Sequence, residues 1–132
     1  MDAFYADAKY RQHQDDPDVG DYSVLAEGYF GPKADYVSRV CGIARGSVFE
    51  VGCGFGGALL AFRSRGWHCA GIEPDRHCAA YARKQLGFPG VRAGLLGADF
   101  APDDKVDVVF SNHAFEHFAD LDGVMRGIRA VL

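Results

Sequence analysis

The chain has no excess of basic residues, no cysteines paired at metal or redox spacing, no long apolar run and no basic leader. Lys and Arg total 14 against 18 Asp and Glu, a formal charge of -4, so the footprint of a protein that holds a nucleic-acid backbone by counterion release is missing. The four cysteines, Cys41, Cys53, Cys69 and Cys78, form no CxxC pair. Neither a zinc knuckle nor a redox motif is indicated, no metal site is expected, and a reduced, cytoplasmic protein is the simpler expectation. Nowhere do about 18 apolar residues follow one another, and Met1-Asp2-Ala3-Phe4-Tyr5 opens without a basic region ahead of an apolar one. Neither a membrane span nor secretion is therefore expected. No repeat or low-complexity segment interrupts the chain, and 48% of its 132 residues are apolar, enough for one domain with a real core.

The order of elements follows from periodicity and punctuation. Ala3 to Tyr10 is weakly amphipathic, and Gln12 to Asp18 reads as an exposed connection without assigned chemistry. Gly31-Pro32 offers proline at a first helical position. From there Tyr36, Val37, Val40, Cys41 and Ala44 share one face, predicted to pack on a sheet, as far as Gly46. Ser47 to Val51 reads as a strand running into the glycine cluster Gly52 to Gly57, and Ala58, Leu59 and Phe62 resume helical spacing up to Gly66. A second strand, His68 to Ile72, is closed by Glu73-Pro74. Asp75 then caps a helix with Cys78, Ala79, Ala82 and Leu86 inward and Arg76, Arg83 and Lys84 outward, ending at Gly87. Gly90 to Ala93 and Val106 to Phe110 give two more strands. Leu121, Val124, Met125, Ile128 and Leu132 form a last helical face behind Asp120. Strands alternating with helices imply an α/β fold, a mostly parallel sheet with helices on both faces. Residues 1–46 are expected to form a helical cap segment and residues 47–132 the core.

Chemistry concentrates at Glu50-Val51-Gly52-Cys53-Gly54-Phe55-Gly56-Gly57. Glycines at alternate positions let the backbone turn tightly and approach a ligand with no Cβ in the way. Gly52, Gly54 and Gly57 also satisfy GxGxxG, which alone does not separate a dinucleotide site from other nucleotide-like sites. Glu50 separates them: a carboxylate at the mouth of the turn repels pyrophosphate and attracts a cation. Glu73 stands 21 positions after Gly52 at a strand end, where folds of this kind place an acid against ribose hydroxyls. An adenosine-containing, phosphate-free, cationic ligand fits both carboxylates.

These residues resemble the class I S-adenosylmethionine-dependent methyltransferases, the small-molecule, Rossmann-like type with a Glu-His pair after the fourth strand. The matching text is Phe49 to Gly56, Gly71-Ile72-Glu73-Pro74, Val106 to His113, and Phe115-Glu116-His117, within Val48 to Leu132. The resemblance implies that Glu50 and the backbone around Gly52, Cys53 and Gly54 hold the methionine part of S-adenosylmethionine, Glu73 the ribose, and backbone near Asn112 the amino group. Relatives carry an acidic or polar residue after the third strand where this chain reads Ala93-Gly94-Leu95-Leu96. Adenine is therefore expected against backbone and apolar contact at Leu95, with Asp99 as a substitute if its loop folds back. His113, just past the fourth strand, is the candidate for removing the acceptor's proton. His117 reads as a helix-start histidine packed against the sheet. Tyr5, Tyr10, Tyr22 and Phe30 either cover the cofactor or simply bury their rings.

Relatives also continue past the last helix with a fifth strand and an antiparallel pair, so the fold reads as truncated, with Val106 to Phe110 as an apolar sheet edge. Either further chain or a second copy is expected to cover that edge. The activity expected is methyl transfer to oxygen, nitrogen or carbon of a small molecule. The rivals are an NAD-dependent oxidoreductase domain, which leaves Glu50 badly placed against pyrophosphate, and a non-catalytic module that binds the cofactor.

Overall fold

A computed structural model of the chain describes residues 15–96 and 105–132. The Ala3 to Tyr10 stretch, Tyr5, Tyr10 and Asp99 lie outside them. Helix α1 (Val19–Cys41) leads into β1 (Ser47–Val51), α2 (Gly57–Ser64), β2 (His68–Glu73), α3 (Arg76–Lys84), β3 (Val91–Ala93) and β4 (Val108–Phe110); a short 3₁₀ turn (Phe115–His117) and α4 (Leu121–Val131) follow. The four strands form one parallel sheet in the order β3-β2-β1-β4. With β1 central and its neighbours reached by crossovers on either side, the loops after β1 and β4 meet at one end of the sheet, where a ligand crevice belongs in such folds.

The period of two along β1 sends its side chains to different layers. Val48 packs with Ala61, Phe62 and Trp67 below α1 and α2, whereas Phe49 and Val51 join Ile72, Val124 and Ile128 below α4. Both faces of the sheet are thus covered, as two-sided burial of Val48, Phe49 and Val51 requires. Glu50, on the Val48 side, is the charged residue in an otherwise apolar run and is buried with it.

Helix boundaries follow the caps. Asp75 accepts from the backbone N–H groups of His77 and Cys78 at 2.8 and 3.2 Å, and Asp120 accepts from Gly123 at 2.8 Å, so both N-caps read from the sequence form. The first helix differs from its reading. Asp18 caps it through Asp21 at 3.0 Å, twelve residues or so before the Gly31-Pro32 start, and Pro32 lies inside the helix. The helix also ends earlier, at Gly42 with φ 68°, a left-handed cap glycine.

Its buried face is Ala26, Gly31 and Ala34, while Tyr36, Val40, Cys41 and Ala44 are exposed. The partner is chiefly α2 rather than the sheet, and small residues explain why: a Cβ on Gly57 would stand 2.8 Å from both the Phe30 ring and the Tyr22 hydroxyl. On α4, Val124, Ile128 and Val131 are buried but Leu121, Met125 and Leu132 are exposed. β4 is shorter than its apolar run, since Val106 donates to the Val131 carbonyl at 2.8 Å and Asp107 pairs with Ser47 instead of extending the ladder. β4 remains the outer strand.

Candidate cofactor site

The turn after β1 is set by backbone geometry. Gly52 has φ 76°, and a Cβ there would fall 2.5 Å from the Ala114 Cβ, so the loop after β4 crosses directly over this glycine. Both a left-handed conformation and a neighbour that close require glycine. Gly54 then offers its N–H to Glu73 Oε2 at 2.7 Å, while Asp75 offers its own to Oε1 at 2.9 Å. One carboxylate from the end of β2 thereby fixes the glycine turn against the start of α3. Ser111 donates to the Val51 carbonyl at 3.0 Å, tying the loop after β4 to the end of β1.

These contacts enclose a cavity of about 700 Å³, and it gathers every site residue read from the sequence: Glu50, Gly52, Cys53, Gly54, Glu73, Leu95, Asn112 and His113 all line it. Tyr22 and Phe30 line it from α1, and Phe55, Phe118 and Leu95 add apolar wall. Four carboxylates, Asp15, Glu50, Glu73 and Asp75, border the space and no lysine or arginine does among the described residues. Such a wall favours a cation and disfavours phosphate.

Glu50 departs from its expected place at the mouth of the turn. It is 2% exposed, and Oε2 is buried without a hydrogen-bond partner. Burial and then the Glu73 charge push its carboxyl well above the usual glutamate range. Cys53 is likewise raised, by burial and then by Glu50 and Glu73. Its thiol is packing, not a nucleophile.

His113 sits at the rim with φ 53°, the one described non-glycine residue in the left-handed region. Its ring is 76% exposed and 3.6 Å from Glu116. His117 is not packed against the sheet: it belongs to the 3₁₀ turn, lines the cavity and is 47% exposed. The helix expected to bury it begins only at Leu121.

Several residues carried no legible signal. Asp15 and Pro17 border the cavity in a stretch read as an inert connection. Tyr81 donates to the Pro17 carbonyl at 2.8 Å, and Asp16 meets the His77 ring, so this strap is fastened to α3. Asp75 caps α3 and also faces the site. Beside Asn112, Tyr29 has its hydroxyl held below the usual tyrosine pKa by Lys33 and then by Asn112, with the Lys33 ammonium 3.1 Å from the ring centroid. None of these side chains belongs to a spaced motif.

A parallel sheet with a glycine turn after its central strand, an acid closing the next strand and a cavity at their junction defines a Rossmann-like adenosine-type site. Comparison with known proteins agrees. Residues 49–132 match the family model described as methyltransferase domain, and the chain belongs to that family.

An uncharacterized methyltransferase of Bacillus subtilis, YcgJ, is 28% identical over 90 residues, 64% of this chain and 36% of its own length. Among solved structures, DesVI of Streptomyces venezuelae superimposes with a TM-score of 0.68 at 24% identity, over 100% of this chain and 53% of DesVI. CalS10 of Micromonospora echinaspora, an amino pentose methyltransferase solved with S-adenosylmethionine bound, gives 0.65 at 26% identity, over 91% of this chain and 55% of CalS10. The chain thus spans about a third to a half of the length of these relatives. The family sets aside the oxidoreductase reading. Among the described residues no helix is long and apolar enough to cross a membrane.

Proposed function

We propose that this chain forms the cofactor-binding part of an S-adenosylmethionine-dependent methyltransferase acting on oxygen, nitrogen or carbon of a small-molecule acceptor in a reduced, cytoplasmic setting. The observation that carries the reading is the buried, unpartnered Glu50 oxygen beside a glycine turn, in a cavity bordered by carboxylates and by no lysine or arginine. A ligand with ammonium and sulfonium groups matches that wall, and a pyrophosphate does not. CalS10, with S-adenosylmethionine bound, supports the same ligand.

When bound, S-adenosylmethionine supplies an electrophilic methyl on a cationic sulfur. In this reading Glu50 faces the cationic methionine end, with Gly52, Cys53 and Gly54 giving close backbone approach and Asn112 offering backbone to the amino group. Glu73, lining the cavity at the end of β2, accepts from ribose hydroxyls. Leu95 gives adenine an apolar contact. Residues 1–46 act as a cap, with Tyr22 and Phe30 closing one side against water. Catalysis is mainly alignment, since holding nucleophile and methyl in line supplies much of the acceleration. His113, at the rim with an exposed ring, takes the acceptor's proton where the acceptor carries one. CalS10, an amino pentose methyltransferase, supports a small-molecule acceptor. The apolar β4 edge is covered by further chain or by a second copy.

Transfer of isotopically labelled methyl to a panel of amino sugars, phenols and acidic carbon compounds tests the reading. Labelled product that falls by about 10²-fold or more in His113→Ala, with binding kept, supports both the activity and the proton-transfer role. Tight cofactor binding without transfer to any acceptor favours a non-catalytic binding module instead.

A further inference from the structure

Glu50 is the feature of the cavity whose chemistry is unfinished. Its side chain points from the middle strand into the layer beneath α1 and α2, where it is 2% exposed. One oxygen has no partner. The second nearby carboxylate, Glu73, is 7% exposed and takes backbone N–H groups on both oxygens. Glu73 is therefore stabilised as an anion in place, whereas Glu50 faces that anion with no compensating donor at Oε2.

Among the described residues, no lysine or arginine lines the space to supply a positive charge there. Cys53 on the turn and Cys69 on β2 are thiols held protonated, Cys69 by burial that pushes it up to about 12. Asp75 at the start of α3 is a carboxylic acid, Tyr22 on α1 brings a phenol, and His113 and His117 lie toward solvent beyond β4. Two buried carboxylates whose charges reach each other resist ionising together where no described lysine or arginine stands beside them.

We propose that Glu50 carries a proton in the ligand-free protein and releases it to solvent when a cationic ligand enters, so that cofactor binding is coupled to expulsion of about one proton. The inference rests on the cofactor reading above and deepens it, making Glu50 a residue that selects for ligand charge. No covalent bond changes: the carboxyl O–H dissociates, the proton leaves to buffer, and the carboxylate faces the ammonium or sulfonium. The carboxyl's raised affinity for its proton supports this order of events. Two consequences follow. Affinity for a cationic ligand rises with pH, by up to about tenfold per unit, until Glu50 is ionised in the free protein as well. Loss of the sulfonium charge on methyl transfer also removes part of what holds Glu50 ionised, which favours reprotonation and departure of the product.

The test is calorimetric titration at about pH 7 in two buffers of different ionisation enthalpy, which counts protons independently of turnover. The probes are S-adenosylmethionine, S-adenosylhomocysteine and 5′-methylthioadenosine, the last lacking both ammonium and sulfonium. The expected result is release of about one proton with S-adenosylmethionine, less or equal release with S-adenosylhomocysteine and none with 5′-methylthioadenosine. Glu50→Gln binds the first two more weakly, with no proton released, and Glu50→Asp restores release. Binding of S-adenosylmethionine with no buffer dependence, or with the same proton count in Glu50→Gln, overturns the inference and leaves the cofactor reading intact. Failure of all three probes to bind the wild-type chain overturns the cofactor reading, and this inference with it.

Discussion

Glu50 spends stability on function. A carboxyl kept neutral by burial is most comfortable at low pH, because its folded-state proton affinity exceeds that of the unfolded chain. Its contribution is fully present below the ordinary glutamate value of 4.5 and is lost as pH rises through the raised folded value. Glutamine has the same shape and cannot ionise. Glu50→Gln should therefore stabilise the ligand-free protein relative to wild type, by about 1.4 kcal/mol more for each pH unit between roughly pH 5 and the folded value. Urea unfolding of both proteins at about pH 5, 6 and 7 checks this, and parallel pH profiles would mean that Glu50 is ionised and accommodated in the fold.

Residue types and spacing made Glu50 and Glu73 legible, because both are fixed relative to a glycine turn that must itself be glycine at Gly52. The burial of Glu50 was not legible. A charged residue two positions before a turn reads as solvated, and only the packing of α1 and α2 over the Val48 side of β1 shows otherwise.

At the level of elements, α1 is the part that sequence patterning misplaced. Gly28, Gly31 and Pro32 all disfavour helix, so a reading by propensity starts the helix after them. Tertiary contacts override it. The end of α2 carries Arg65, whose guanidinium bonds Glu27 at 2.8 and 3.0 Å and Asp35 at 2.6 and 3.1 Å, one acid from before the proline and one from after it. The clasp bridges the weak point and holds both α1 acids below their ordinary pKa. Arg65 donates in a planar fork that lysine does not reproduce. Arg65→Ala and Arg65→Lys should both loosen α1 from α2, at a cost on the order of 1 kcal/mol for the alanine variant.

Because Glu27 is lowered, its share is present above its ordinary value and lost as pH falls through the folded one. Hydrogen exchange along Val19–Cys41 is the direct reading, with faster exchange expected in both variants and unchanged exchange counting against the clasp. The core strands and the two aspartate caps needed no such help, since strand, turn, cap and amphipathic face agreed there. The outward faces of α4 failed for the opposite reason. Leu121 and Met125 fit the period but lie off the stripe that Val124, Ile128 and Val131 fill.

For the whole molecule, the parallel order β3-β2-β1-β4 brings four separated sequence motifs to one end of one sheet, and that convergence explains how the site residues read from the sequence, from Glu50 to His113, border a single cavity. The sequence specified this much because each motif sits at a strand end. It did not specify the strap from Asp15 to Asp18, whose position depends on Tyr81 and His77, residues to which the sequence pattern gave no role.

The measurement that bears most directly on the central claim is a binding titration of the wild-type chain and Glu73→Ala with S-adenosylmethionine and NAD side by side. A Kd on the order of micromolar for S-adenosylmethionine, weakened by about tenfold or more in Glu73→Ala, with NAD unbound, is the result the account predicts. Binding of NAD in preference to S-adenosylmethionine, or S-adenosylmethionine binding that is indifferent to Glu73, would contradict it.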